Sequence, residues 1–394
     1  MKKYYILRIA SAAANQMLSV AVGYQIYELS KSALLLGVVG LIQFLPRIIF
    51  IFYTGTFSDK YDRRKIAQVT QTIILAISLL LGLMSISGVI SEWLLLATVF
   101  LYGTSFAIEG PAITSLLPNM VQNADLSKAL AKNSSFQQAA IIIGPALAGL
   151  LYSFGSSTVY FSIIFINLVA VICAHAIKDS EIINKSDKHL ETESRVQATV
   201  EGFKFIWNNK GILGALTLDM FAVLFGGITA LLPIYCDIIL HVDSAGFGLL
   251  RAAPAVGAII MAVFLSQRPI KRAAGHKMFL AVAAFGLITI LFALSRNFAL
   301  SLSLLIFLGM ADQISVIIRQ TFVQLKTPDE VRGRVSAVNF IFIGASNQIG
   351  EFESGSVTAL IGLIPATIFG GCATLTVVLL WFVWFKELRH LDRI

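Results

Sequence analysis

Eight ionisable side chains interrupt stretches that are otherwise apolar: Arg47, Glu109, Asp219, Arg251, Asp312, Arg319, Glu351 and Glu353. Charge in an apolar span is costly, and it faces a cavity or another charge. Two kinds of chemistry suit such groups: reversible proton binding by a carboxylate, and ion pairing between helices. A coupling acid must take and release a proton during work. Asp312, in the middle of its apolar run, is the first candidate, with Glu109 and Glu351 next and Asp219 beside them. Each acid has a plainer role open to it, as the permanently ionised partner of a buried arginine. Arg47 and Arg251 suit neutralising acids better than binding substrate, although an anionic substrate would recruit either. Helical spacing puts Asp312, Ser315 and Arg319 on one face, and Asn347, Glu351 and Ser354 on another.

Other chemistries lack their residues. No Gly-Lys-Ser/Thr phosphate loop occurs, nor a Gly-x-Ser-x-Gly or zinc-protease pattern, so no enzyme activity and no cofactor is expected. Cys173, Cys236 and Cys372 lie far apart without ligand spacing. His175, His189, His276 and His390 fall at the edges of apolar runs, and His241 lies between Asp237 and Asp243, where a polar loop is favoured over a metal site.

The elements that position these residues follow from composition. The 394 residues are 57% hydrophobic and 13% charged, against about 25% charged in a soluble domain. Apolar runs of bilayer length recur throughout. They predict twelve helices, at 5–27, 34–56, 66–87, 92–114, 133–155, 158–177, 211–235, 245–266, 277–295, 298–322, 337–362 and 366–385. The first is too long for a signal-peptide core, contains Arg8, Asn15 and Gln16, and lacks a clear cleavage site. The polar stretch 178–210 divides the chain into six-helix halves, 1–177 and 211–394. Within it Val196, Val200, Phe203 and Trp207 recur at helical spacing. They predict either an amphipathic helix on the membrane surface or an extension of the seventh span.

The net charge of +8 is a topology signal, not a nucleic-acid face. Lys2, Lys3, Arg8, the 60–65 cluster, Lys128, Lys132, Lys178 to Lys210, the 268–277 cluster, Lys326, Arg332, Arg334, Lys386, Arg389 and Arg393 all fall on one side. Lys31 and Arg296 fall on the other. This bias predicts both termini in the cytoplasm. The halves also look like repeats. Leu116-Leu-Pro118 parallels Lys326-Thr-Pro328, and Glu109 and Arg319 each lie nine residues before the matching proline, about 13 Å of helix. Two readings of Glu109 and Arg319 stay open: a gate salt bridge between the halves, or local pairing of each within its own half.

The second and third spans are joined by Gly55-Thr-Phe-Ser-Asp-Lys-Tyr-Asp-Arg-Arg-Lys65. Gly55 permits close helix approach. Asp59 at a helix end, and Arg63 and Arg64 at a helix start, oppose the helix dipoles, which suggests a charge lock that also involves Lys60. This pattern, G-x-x-x-D-K-x-D-R-R-K, resembles the signature loop of the major facilitator superfamily, with Asp62 where glycine is usual. Gly144-Pro145-Ala-Leu-Ala-Gly149 is similar to an antiporter motif of that superfamily; it either bends its helix at Pro145 or packs by small residues. The stretch Gln320 to Gly355, which includes Arg332 and Arg334, with Ser115 to Pro118 and Glu387 to His390, resembles the enterobactin-exporter and macrolide-efflux branch. The resemblance implies an all-α integral membrane fold of two pseudo-symmetric six-helix bundles. In it spans one, four, seven and ten line a cavity, so Glu109, Asp219 and Asp312 would face it. It also implies proton-coupled export of a siderophore or amphipathic drug by a bacterial inner-membrane protein, expected to be a monomer. Uptake by the same fold, or a non-transporting receptor, are the alternatives.

Overall fold

The computed structural model describes residues 1–50, 61–121, 126–177, 192–270 and 272–392, and every regular element among them is helical. A helix satisfies its backbone polar groups internally, which a hydrocarbon solvent demands. The elements are α1 (Lys2–Ser30), α2 (Ala33–Ile49), α3 (Arg63–Ser87), α4 (Glu92–Asn119), α5 (Leu126–Tyr152), α6 (Ser156–Ala176), α7 (Thr192–Asn208), α8 (Lys210–Phe225), α9 (Leu232–Ile234, running into a π-helical turn Tyr235–Leu240), α10 (Ser244–Gln267), α11 (Ala274–Leu294), α12 (Phe298–Lys326), α13 (Asp329–Ile361), α14 (Leu363–Trp384) and α15 (Lys386–Arg389).

Among the described residues nine helices are long and apolar enough to cross a bilayer, so the count of twelve is not reached. The span predicted at 34–56 is described only as far as residue 50. The one predicted at 337–362 falls on α13, which runs from Asp329 to Ile361 and is made more polar by Asn339, Asn347 and Gln348. The one predicted at 211–235 is broken after Phe225. The reason is the pair Gly226-Gly227: a Cβ on the first would run into Phe285, and on the second into Ser354.

The chain forms two compact units, residues 1–30 with 42–195, and residues 31–41 with 196–394. In the first, α1 packs on α5 and α6, and α3 packs on α4 and α6. Tyr4, Leu7, Ile113 and Leu116 are at the heart of a buried cluster. The last carbonyls of α6 are capped from outside: Gln68 Nε2 donates to Ala174 O (3.2 Å), Lys3 Nζ to Ala176 O (2.7 Å) and Arg64 Nη1 to Ile177 O (3.4 Å). Cationic donors suit the negative end of a helix.

In the second unit α10 packs on α12, α11 on α12 and α14, and α8 on α13. Two glycines set the α10–α12 approach: a Cβ on Gly257 would overlap the Ile306 carbonyl, and one on Gly309 the Pro254 carbonyl. The start of α2 belongs here too, with Gly37 against Gly355 and Lys31 Nζ 2.8 Å from Asp237 Oδ2. Helix α7 is distinct from α8, the non-helical Asn209 (φ −100°, ψ 89°) separating them. It docks on α13: Gly202 meets the Arg334 backbone, Arg334 pairs with Glu201, and Phe203 stacks near Phe342 with centroids 5.5 Å apart. Val200 and Trp207 remain exposed.

Candidate functional site

The second unit brings together two of the acids that the sequence singled out. Asp219 of α8 and Asp312 and Ser315 of α12 line one crevice with Ala222, Val223 and Phe285. Ser315 Oγ donates to Asp219 Oδ1 at 3.2 Å. Arg319 Nε lies 3.2 Å from Asp219 Oδ2, within ion-pair range though off the hydrogen-bond line. The Arg319 guanidinium also donates through Nη1 to Asn339 Oδ1 of α13 at 2.8 Å. Asp312 is half-buried and within electrostatic reach of both Asp219 and Arg319. With both acids ionised, the three would hold two negative charges and one positive. The crevice has a cavity volume of ≈ 10 Å³, far below the about 300–1,000 Å³ of pockets that bury drug-sized ligands. It is a place for a proton or a water.

The first unit builds a separate buried set around Glu109 of α4. Ser11 Oγ of α1 donates to Glu109 Oε1 at 2.6 Å, and Gln71 Nε2 of α3 to the same oxygen at 2.7 Å. Arg8, counted above among the basic residues of one membrane side, is turned inward instead. It is 8% exposed and donates from Nη2 to Gln137 Oε1 of α5 at 3.0 Å. Gln137 on α5 gives the guanidinium a polar contact inside the bundle. Glu109 and Arg319 thus each have partners inside their own unit.

The remaining predicted residues are dispersed. Arg251 Nη1 donates to Thr229 O at 2.7 Å, capping the break between α8 and α9, and Arg251 attracts Glu351. Glu351 lies against Gly40, where a Cβ would collide with its carboxylate. Ser354 Oγ donates to Glu353 Oε2 at 3.4 Å. Arg47 sits 4.8 Å from the Phe106 ring centroid, within cation–π range. Gly55, Asp59 and Lys60 lie outside the described residues. Asp62 is the N-cap of α3, accepting from Arg64 N at 2.9 Å, and it offsets the basic run Arg63-Arg64 at that helix start. Arg332 Nη2 reaches back to Thr327 O at 3.2 Å. Gly144 brings α5 onto α1 at Ala13 and Gln16, and Pro145 lies inside the continuous helix with Gly149 one turn on.

A family profile described as transmembrane secretion effector matches residues 2–393. The chain belongs to this family of major facilitator transporters. With nine described helices of bilayer length, this family membership makes it a multi-pass membrane protein. Macrolide efflux protein A of Streptococcus pyogenes is 27% identical over 240 residues, 59% of this chain. The match spans 58% of that relative's length. The enterobactin exporter EntS of Escherichia coli K12 is 23% identical over 394 residues, 98% of this chain and 92% of its own. Among solved structures, a D-xylose–proton symporter superposes with a TM-score of 0.71 at 12% identity, over 97% of both chains. This likeness bears on the fold alone. The family member's buried acids are thus on a transporter scaffold, where intramembrane charge ordinarily marks an ion or substrate path.

Proposed function

We propose that the chain is a proton-coupled exporter of a siderophore or an amphipathic drug-like molecule. It works as a monomer in a bacterial inner membrane with both termini in the cytoplasm, and its two six-helix halves alternate access to a midplane site. The supporting observation is the charge count around the crevice: Asp219 and Asp312 share one arginine, Arg319. One proton on Asp312 brings the set to neutrality, while Asp219 keeps its partners Ser315 and Arg319. A group that gains and loses charge without dismantling its neighbours is suited to a coupling cycle. The names of relatives, which include a macrolide efflux protein and an enterobactin exporter, support the direction and substrate class.

Inverted membrane vesicles with an imposed pH gradient test the reading. A catecholate siderophore, a macrolide or a cationic dye should trigger proton movement in vesicles that hold the native chain. The Asp312→Asn variant should bind the same probe and move no protons. Proton movement left intact in Asp312→Asn sinks the coupling assignment. Silence towards every probe favours uptake or a receptor role.

A further inference from the structure

We propose that Glu109 is a second proton site, held in the first unit and independent of Asp312. The inference rests on the proton-coupled reading for its place in the transport cycle, but its evidence is separate. Glu109 is 1% exposed, Gln71 is fully buried and Ser11 is 2% exposed. Both hydrogen bonds to the carboxyl arrive at Oε1. Glu109 Oε2 is buried with no hydrogen-bond partner among the described residues, and so is Gln71 Oε1. These are two acceptor oxygens on groups already joined at 2.7 Å through Gln71 Nε2. Buried orphan acceptors are costly.

One proton resolves both. Placed on Oε2, it turns that oxygen into a donor, and the Gln71 carbonyl is the acceptor left over on the same amide. The result is a cyclic acid–amide pair, with Nε2–H donating to Oε1 and Oε2–H donating to the Gln71 oxygen. The remaining surroundings disfavour other occupants. Arg8 of α1 and Tyr102 of α4 are the charged and titratable groups that act on Glu109, α3 faces it with uncharged Gln71, and α5 contributes Gln137 to Arg8. A metal cation would meet the positive Arg8 and find Ser11 already committed as a donor. At 1% exposure the carboxyl is closed to substrate in this conformation. When the proton leaves, Arg8 is the cation left to balance the carboxylate. Its Nε is buried and has no hydrogen-bond partner among the described residues, so it has a donor free for that state. Each unit then carries one acid that changes charge beside one arginine that does not.

Difference infrared spectra of the purified full-length protein in lipid, recorded across pH, test this without any transport substrate. Among the protonated-carboxyl C=O bands of the native protein, one should belong to Glu109 and one to Asp312. Glu109→Gln should remove one and Asp312→Asn the other, each leaving its companion's titration in place. Gln71→Leu should shift the Glu109 band by removing its amide partner, and leave the Asp312 band unmoved. A Glu109→Gln spectrum that matches the native one across pH overturns the second site. So does a Gln71→Leu spectrum with no shifted band, which decides the matter if Glu109→Gln does not fold. An Asp312→Asn spectrum with no lost band strikes at the coupling reading instead, and leaves the Glu109 result standing.

Discussion

Removing the guanidinium of Arg319 would leave Asp219 buried beside a second acid with no counter-charge. Breaking one side of a buried pair typically costs about 3–5 kcal/mol, whereas neutralising both sides costs far less. Arg319→Ala is therefore expected to melt well below the native protein in detergent, followed by tryptophan fluorescence. The double variant Asp219→Asn with Arg319→Gln should recover most of the loss. Equal melting of Arg319→Ala and native protein would deny the pair any structural weight. The face that carries Asp312, Ser315 and Arg319 was legible from spacing on one helix. The choice of Asp219 as Arg319's partner was not, because it depends on how α8 and α12 come together. Arg8 shows the same limit from the other side. A basic residue near a helix start reads as a topology signal until Gln137 of another helix is known to receive it.

Helix ends and helix contacts carry the element-scale energetics. The N-terminus of α8 is capped from the far end of the chain: Glu387 Oε2 accepts from Gly211 N at 2.8 Å. A carboxylate there meets both an orphan amide and the positive end of the helix dipole. Glu387→Ala should cost about 1 kcal/mol and speed hydrogen exchange at the Gly211 amide; unchanged exchange would rule the cap out. Glycine contacts make a sharper contrast. Gly257→Ala must push a methyl into the Ile306 carbonyl, so α10 and α12 have to separate. Gly333→Ala meets nothing within 4 Å and should be neutral or stabilise by about 0.5–1 kcal/mol through helix propensity. Similar melting temperatures for the two variants would contradict that packing. The break after α8 had a visible signal in Gly226-Gly227. An apolar run that continues through it hides the break, because hydropathy does not register the missing side chains. Asp62 had a signal as well, since an acid just before a basic helix start is an N-cap pattern.

At the scale of the whole molecule, orientation depends on which basic residues remain at helix ends once the interior ones are set aside. Arg8, Arg251 and Arg319 make their hydrogen bonds inside their units, and Arg47 lies over Phe106, so none of them counts towards a surface bias. On the sparse side, Lys31 is paired with Asp237, which removes half of the two-residue opposition. On the rich side, Lys3 and Arg64 do hold α6 carbonyls, but those carbonyls are themselves at a helix end. Discounting Arg8 takes one residue from the rich side and leaves the bias standing, and it predicts that Lys2 and Lys31, at opposite ends of α1, open to opposite compartments. In a background with Cys173, Cys236 and Cys372 replaced by serine, Lys31→Cys in intact cells should react with a membrane-impermeant maleimide. Lys2→Cys should react only after the cells are opened. Equal labelling of both in intact cells would mean that α1 does not span. The reverse pattern would turn the molecule over and place Arg63, Arg64 and the docked α7 outside the cell, where the basic loops have no anionic leaflet to explain them.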